Sequence, residues 1–367
     1  MAGLYIHIPF CKQACHYCDF HFSTNQDYRT KMCEAIVTEI ELQANYLNGE
    51  LIETIYWGGG TPSLLSASEL AIIFNAIHKH FSVHEKTEVT LEANPDDLTK
   101  EKLKELHAAT VNRLSIGIQS FDDATLQFFN RAHSRHEALR CVADARDVGF
   151  ANLSLDLIYS VPGRAITVWE SDLIQLTNLE PEHVSAYSLT IEDKTVFGKW
   201  QKQGKINPII EAKSVSDFEL LIEHLGNDGY EHYEISNFSK PGFVSKHNSN
   251  YWRQQNYLGV GPSAHSYNGV SRQFTVSNNH QYLKALAEHK VPFELETLSR
   301  ENKINEYIFT SLRTMWGCDL MYLKSNFEYS LENSPALHKT IDLNLAVVKD
   351  HVVTLTPKGK LLAGQIA

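Results

Sequence analysis

Long apolar runs are missing from this 367-residue sequence, and no stretch approaches the roughly 18 consecutive apolar residues of a membrane span. A transmembrane segment is therefore not expected. The first ten residues, MAGLYIHIPF, also lack the basic stretch and apolar core of a secretory signal peptide. We therefore expect a cytoplasmic protein in a reducing environment, without disulfides. Peripheral contact with a membrane surface is left open.

Positive charge is also scarce, with 33 Lys and Arg against 44 Asp and Glu and a formal net charge of −11. A general nucleic-acid binder needs a basic face to displace the counterions of the phosphates. The segment from residue 300 onward is no exception, because it carries eight basic and seven acidic residues. Nucleic acid is therefore not an expected partner.

Cysteine is rare, yet three of the six cysteines lie in one short stretch, FCKQACHYC. Cys11, Cys15 and Cys18 form a C-x3-C-x2-C pattern directly after a strand-like segment. Thiolates at this spacing can converge, and such soft ligands select zinc, copper(I) or an iron–sulfur cluster. The other three are scattered singly and are interpreted as small buried apolar residues: Cys33, Cys141 and Cys318.

Two interpretations of the cysteine loop compete. A structural zinc site needs a fourth ligand, which His7, His16 or His21 could supply. A [4Fe–4S] cluster held by three cysteines instead leaves one iron open, and an open iron can bind a further molecule. The spacing alone does not decide between them.

Strand-like segments alternate with helical apolar spacing over the first two thirds of the chain. This alternation predicts a parallel sheet, and short right-handed crossovers in chain order favour a partial (β/α)6 TIM-like barrel over a doubly wound sheet. The segments are LYIHI, ETIYWGG, TEVTLEANP, NRLSIGIQS, NLSLDLIYS and HVSAYSLTI.

The pattern weakens after residue 195. TVFGKWQKQGKINP is interpreted as a loop, SVSDFELLIEHLGNDGY as a helix, and EISNFSKPGFVSKHNSNYW as irregular chain. ENKINEYIFTSLRTMW predicts a helix, and HVVTLTPKGKLLAGQI predicts a strand followed by a Pro-started helix. We therefore predict a core barrel over 1–230, a connecting segment over 231–299, and a small C-terminal α+β, winged-helix-like domain over 300–367.

Polar residues follow or interrupt the predicted strands at their carboxyl ends, which is the working face of an α/β barrel. A glycine turn, Gly58 to Gly60, precedes Thr61 and would allow a ligand close to the backbone. Glu92 and Gln119 end two strands, and Asp156 interrupts an apolar one. A carboxylate there needs a partner, either a cation such as Arg113 or Arg131 or a polar group of a ligand.

These segments resemble the radical S-adenosylmethionine (SAM) superfamily. The closest branch contains the oxygen-independent coproporphyrinogen III oxidases and the HemW-type heme chaperones. The resemblance covers nearly the whole chain, through YIHIPFC, YWGGGTPS, LEANP, NRLSIGIQSF, NRAHS, LDLIYSVPG, YEISNF, HNSNYW and YLGVGPSAHS.

The resemblance implies that Cys11, Cys15 and Cys18 hold a [4Fe–4S] cluster whose open iron chelates SAM. It also implies a set of residues that line the SAM site: Tyr5, Gly59, Gly60, Thr61, Glu92, Gln119, Arg131 and Asp156.

Two departures favour the heme-chaperone branch over the oxidases. The oxidases carry a further cysteine two positions after the third one, where this chain has Phe20, and they carry an N-terminal extension that is missing here. By resemblance, the motif HNSNYW offers His247 as an axial heme ligand and Tyr251 and Trp252 as ring contacts for a porphyrin. We expect this motif to lie apart from the strand ends that form the SAM site.

The resemblance thus implies a heme chaperone that binds heme, a [4Fe–4S] cluster and SAM and transfers heme to acceptor proteins, membrane-associated ones included. An oxygen-independent coproporphyrinogen III oxidase is the alternative. A zinc-stabilised scaffold is a third hypothesis, which leaves Glu92, Gln119 and Asp156 without a role. Whether the protein catalyses a reaction is left open, although oxidase activity is not expected.

Overall fold

A twelve-stranded sheet forms the centre of the protein, in a computed structural model that describes residues 2–366. Its first six strands are parallel and lie side by side in chain order. They are β1 (Ala2–Ile8), β2 (Ile52–Gly59), β3 (Val83–Ala93), β4 (Arg113–Gln119), β5 (Leu153–Tyr159) and β6 (His183–Ser188). The helices between them are α1 (Arg29–Leu42), α2 (Ala67–His80), α3 (Lys100–Ala108), α4 (Asp123–Phe128), α5 (Arg135–Val148) and α6 (Ile166–Asn178).

Apolar spacing and helix caps explain this alternation. On α1, Met32, Ile36 and Ile40 recur every four residues and are buried against the sheet. Ser66 and Ser134 start α2 and α5 with capping boxes, in which the serine and a glutamate three residues later satisfy free backbone N–H groups. The predicted α/β barrel is confirmed.

Residues 231–299 extend the sheet at both edges. On one side β7 (Glu231–His232) and β8 (Asn237–Ser239) run antiparallel beyond β6. On the other side β9 (Tyr257–Val260) is parallel to β1, and three antiparallel strands follow it. These are β10 (His265–Tyr267), β11 (Ser271–Thr275) and β12 (Phe293–Thr297). The segment expected as a connection therefore builds part of the sheet.

Four further helices accompany this part of the chain: α7 (Val196–Lys202), α8 (Glu211–Asn227), α9 (Lys246–Trp252) and α10 (Asn279–Ala287). The interpretation of 195–208 as a loop was wrong over α7, where Thr195 caps the helix and Phe197 is buried. The interpretation of 234–252 as irregular was wrong over β8 and α9, and Ser245 caps the latter. Both elements are short, so periodicity gave little signal.

A small α+β unit follows, with its own apolar core and a three-stranded antiparallel sheet in the order β13-β15-β14. It contains α11 (Arg300–Ser311), β13 (Cys318–Asp319), α12 (Leu320–Phe327), α13 (Pro335–Asp342), β14 (Ala346–Lys349), β15 (Val352–Leu355), α14 (Pro357–Leu361) and α15 (Ala363–Ile366). The predicted helix and the predicted strand with its Pro-started helix are confirmed. Each helix in the described range is too short or too polar to span a lipid bilayer.

Candidate functional site

The cysteine loop leaves the carboxyl end of β1 and brings three thiols near one another. All six cysteines of the chain are free. Burial raises the pKa of the Cys11 and Cys18 thiols to about 11, and charge interactions among the three cysteines add to the increase. Cys33, Cys141 and Cys318 are buried, as expected from the sequence.

The loop is fixed by contacts within the protein. The His16 backbone N–H donates to Phe129 O at 3.0 Å, and the Phe197 N–H donates to His16 O at 3.0 Å. The His16 ring also packs against Trp200 of α7, with 4.7 Å between ring centroids. Helix α7 therefore covers the middle of the cysteine loop.

A chain of hydrogen bonds joins two of the cysteines. The Thr61 hydroxyl donates to Cys11 Sγ at 3.5 Å and accepts from the Asn94 amide at 3.2 Å. Arg131 donates through Nη2 to Asn94 Oδ1 at 2.6 Å and through Nη1 to Cys15 Sγ at 3.4 Å. The Thr61 donor partly opposes the rise that burial causes in the pKa of Cys11.

The glycine turn at the end of β2 packs directly on the end of β1. Gly60 N–H donates to Ile8 O at 2.8 Å, and Thr61 N–H donates to Phe10 O at 2.7 Å. A Cβ atom on Gly60 would lie 2.5 Å from Phe10 O, and Gly59 has a φ of +103°. The close contact at Gly60 and the left-handed backbone at Gly59 each require glycine, whether or not a ligand binds here.

Glu92 projects into the barrel from β3. Its Oε1 accepts a hydrogen bond from the Tyr56 hydroxyl at 2.8 Å. Burial, together with the nearby charge of Asp156, raises the pKa of Glu92 to about 7. The Tyr5 ring stacks on the Tyr56 ring, with 6.1 Å between centroids. Two of the positions expected around the cofactor, Tyr5 and Glu92, are therefore close together, and a Cβ atom on Gly58 would lie 3.0 Å from the Tyr5 ring and 3.1 Å from Glu92 Oε1.

Asp156 lies in the barrel with serine hydroxyls as its partners. Ser115 donates to both carboxylate oxygens at 3.2 Å, and Ser154 donates to Oδ1 at 3.2 Å. Burial raises the pKa of Asp156 to about 6, while the charge of Arg113 opposes that increase. Of the two cations considered from the sequence, Arg113 acts on Asp156 through its charge, whereas Arg131 binds Cys15 and Asn94.

Gln119 ends β4 in a strained backbone conformation. Its φ is +67°, in the left-handed region that non-glycine residues rarely adopt, and the register between β4 and β5 shifts just before it. Its side-chain amide lies over Gly117, where a Cβ atom would be 2.9 Å from Nε2. Such strain often accompanies functional positions.

His247 lies inside the barrel, beneath the Glu92 side of the site. Its Nδ1 is hydrogen-bonded to the Thr54 hydroxyl and its Nε2 to the Tyr251 hydroxyl, each at 2.8 Å. The ring stacks on Tyr56 at 4.9 Å between centroids and is 1% exposed. Burial and the charge of Arg113 lower the His247 pKa to about 3, so the imidazole is neutral. Its contacts with Gly3 and Thr54 lie near the amino ends of β1 and β2, and Tyr56 connects its ring with Glu92.

The rest of the HNSNYW motif lies on the same short helix. Tyr251 packs edge-on against Tyr257, with 4.6 Å between ring centroids, and Trp252 is partly buried at the end of α9. Neither ring nitrogen of His247 is free in this conformation.

The histidines considered as a fourth zinc ligand have other partners. Nε2 of His7 is bonded to His21 O at 3.0 Å, Nδ1 of His16 to Phe128 O at 2.9 Å, and Nε2 of His21 to Asn279 Oδ1 at 2.7 Å. Within residues 2–366, His, Cys, Asp and Glu side chains nowhere form a set of three arranged around a single metal ion.

Several residues of the site were missed from the sequence. Asn94 joins Thr61 to Arg131, and Tyr56 holds Glu92. Tyr187 lies at the end of β6 and is 44% exposed. The sequence could have indicated both tyrosines, because Tyr56 and Tyr187 lie at alternating strand positions that face the interior.

Comparison with known proteins shows which family the chain resembles. Residues 5–170 match the model of the radical SAM superfamily. "Heme chaperone HemW" of Lactococcus lactis subsp. lactis is 38% identical over 89% of this chain and 86% of that protein. "Heme chaperone HemW" of Bacillus subtilis is 34% identical over 100% of this chain and 98% of that protein.

Among solved structures, the coproporphyrinogen III oxidase HemN from Escherichia coli, a radical SAM enzyme, superposes with a TM-score of 0.86. It covers 100% of this chain and 88% of that one at 22% identity, which supports a shared fold. With relatives above 30% identity along nearly its whole length, the chain belongs to the HemW family of the radical SAM superfamily.

Proposed function

We propose that the cysteine loop binds a [4Fe–4S] cluster through Cys11, Cys15 and Cys18. Three free thiols near one another, with donors from Thr61 and Arg131 aimed at two of the sulfurs, fit this group. Each thiolate of a cluster binds a separate iron, so the sulfurs need not converge on one ion. When bound, such a cluster offers one open iron for the amino and carboxylate groups of SAM.

SAM would occupy the barrel beside the loop. Two buried acids, Glu92 and Asp156, face this interior, and burial raises the pKa of both. A ligand with positive groups would stabilise their ionised forms, and SAM carries a sulfonium and an ammonium group. The remaining proposed contacts are Tyr5, Gly59, Gly60, Thr61, Gln119 and Arg131. Arg131 also binds Cys15 and Asn94, so its contact with SAM would be shared with the cysteine loop.

The protein would act as a heme chaperone that binds heme and transfers it to acceptor proteins in the cytoplasm or at the membrane surface. The observation that carries this proposal is the match with HemW heme chaperones along nearly the whole chain. Phe20, where the oxidases have a further cysteine, is 74% exposed beside the cysteine loop and offers an apolar surface instead of a thiol.

The proposed axial ligand of the heme is His247. Ligation by His247 would require both of its hydrogen bonds, to Thr54 and Tyr251, to break. Tyr251 and Trp252 would then contact the porphyrin from a rearranged α9. We therefore propose that heme binding by His247 is accompanied by a conformational change of α9.

The decisive experiment incubates anaerobically reconstituted protein separately with heme and with coproporphyrinogen III plus SAM and a reductant. A heme chaperone gives a stable Soret band, transfers heme to apomyoglobin and forms no protoporphyrinogen. Decarboxylation of coproporphyrinogen, without stable heme binding, would establish the oxidase alternative. Protein that gives neither result would contradict the proposal and the alternative alike.

A further inference from the structure

The strongest unassigned feature is a stack of three aromatic rings under the proposed SAM site. The rings of Tyr5, Tyr56 and His247 are nearly parallel, with interplanar angles of 23 to 27° between the pairs. Tyr56 is the member that reaches the site, because its hydroxyl donates to Glu92 Oε1 at 2.8 Å. Stacking fixes the plane of the Tyr56 ring and so the direction of this hydroxyl.

His247 is the fixed base of the stack. Both ring nitrogens are hydrogen-bonded, and its backbone N–H donates to Glu88 Oε1 of β3 at 3.0 Å. The ring also lies against Gly3 of β1, where a Cβ atom would be 3.3 Å from the imidazole and 2.8 Å from Thr54 Oγ1. The imidazole is thus held between β1 and β2 and by the amino end of α9.

We propose that His247 is a positioning residue for SAM, acting through Tyr56 on Glu92, as well as part of the motif proposed for heme. The inference deepens the proposed function, because it takes SAM as the ligand of the barrel. In this arrangement α9 supports the side chains that line the cofactor site. A movement of the HNSNYW motif would therefore change the affinity for SAM.

Each step from His247 through Tyr56 to Glu92 is a direct contact. Loss of the imidazole would remove the ring against which Tyr56 stacks and leave a void bounded by Thr54 and Tyr251. Tyr56 could then tilt, and Glu92 would lose a well-aligned donor. A hydrogen bond to a charged, buried group is among the more costly contacts to lose.

The test measures SAM binding by calorimetry, together with the iron content and the electron paramagnetic resonance spectrum of the reduced cluster with and without SAM. His247→Ala should weaken SAM binding about tenfold, the effect of losing roughly one strong hydrogen bond, with iron content unchanged. His247→Gln, which keeps polar groups for Thr54 or Tyr251, should restore part of the affinity. His78→Ala, on the exposed face of α2, is the control and should bind SAM like the wild type.

Two further variants separate positioning from a general loss of folding. Gly3→Ala keeps the imidazole but forces it or Thr54 to shift, and should weaken SAM binding as well. In a double-mutant cycle, Tyr56→Phe combined with His247→Ala should cost less than the sum of the two single changes, because both act on the same bond to Glu92.

Wild-type affinity for SAM in folded, iron-loaded His247→Ala would overturn the inference, and so would strict additivity in the cycle. These outcomes differ from a failure of the proposed function, in which the wild-type protein itself would not bind SAM.

Discussion

Glu92 and Asp156 are both acids in the barrel interior, yet different partners hold them. Glu92 accepts from one tyrosine, whereas Asp156 is surrounded by serine hydroxyls and lies in the field of Arg113. Burial raises both pKa values by a similar amount, that of Asp156 from 3.8 to about 6 and that of Glu92 from 4.5 to about 7. Each acid would therefore respond differently to substitution.

Asp156→Ala should weaken SAM binding by about 1–3 kcal/mol, because it removes a charged acceptor that is not a cluster ligand. Iron content should stay at the wild-type level. Calorimetric titration of SAM into the reconstituted variant measures the effect, and Asp172→Ala provides a comparison at a buried acid that binds Ser120 and the Phe121 N–H instead. Equal affinity in Asp156→Ala and the wild type would leave Asp156 with a structural role only.

Replacing Cys11, Cys15 and Cys18 together by Ala should bleach the protein. The wild type, purified anaerobically, should be brown and contain about four irons per chain. Replacing Cys33, Cys141 and Cys318, which are buried away from the loop, should leave the colour unchanged in protein that folds. Stoichiometric zinc with negligible iron and sulfide would instead identify the zinc scaffold.

The sequence could predict single chemical residues better than their partners. Glu92 and Asp156 stood out because a carboxylate in an apolar strand needs an explanation. Ser115 beside Asp156 and Tyr56 beside Glu92 are on neighbouring strands, so these contacts depend on the register between strands. Register arises from tertiary packing, which a single sequence does not state.

At the scale of elements, the six parallel strands were predictable because buried strands and amphipathic helices repeat with clear periods. The short elements were not predictable in this way. Helix α7 exists because it covers His16 and the cysteine loop, and α9 because Glu88 and Thr54 hold it on the barrel. Tertiary contacts of this kind override weak local preferences.

Helix α1 carries a buried acid that ties three elements together. Glu39 Oε2 accepts from Gly261 N–H at 2.7 Å and from the Tyr282 hydroxyl at 2.6 Å. Burial raises the pKa of Glu39 from 4.5 to about 7, so the folded state binds more protons than the unfolded state between these values. The free energy of unfolding should therefore fall as the pH rises from about 4.5 to about 7.

In Glu39→Gln, the free energy of unfolding should fall by roughly 3 kcal/mol less over this pH range than in the wild type, because the amide does not titrate. Urea unfolding curves at pH 5 and pH 7.5 measure the difference. Glu41→Gln, on the exposed side of the same helix, should keep the wild-type pH dependence. A wild-type slope in Glu39→Gln would assign the pH dependence to other acids.

At the scale of the whole molecule, the barrel and the C-terminal unit meet along a few defined contacts. The Arg253 guanidinium lies 4.0 Å from the centroid of the Trp316 ring, and Met315 N–H donates to Tyr233 O at 2.8 Å. Lys360 also donates to His232 O at 3.1 Å. Arg253 directly follows α9, so this seam begins where the HNSNYW motif ends.

Arg253→Ala should weaken the attachment of the C-terminal unit to the barrel by about 0.5–1 kcal/mol, which is the usual strength of an exposed cation–π contact. Faster hydrogen exchange over residues 300–366, with unchanged exchange in β1 to β6, is the expected result. Arg313→Ala removes a similar contact with Phe309 inside the C-terminal unit and serves as the control. Identical exchange in Arg253→Ala and the wild type would show that the backbone contacts alone hold the seam.

The position of β1 in the sheet has a consequence for how the protein is made. β1 pairs with β2 on one side and with β9 on the other, where Gly3 lies opposite Tyr257. A ribosome adds roughly 5–20 residues per second, so β9 emerges on the order of tens of seconds after β1. During that interval one edge of β1 has no partner strand, and the nascent chain carries an open edge that invites aggregation. β1 is thus synthesised long before the strand that encloses its second edge.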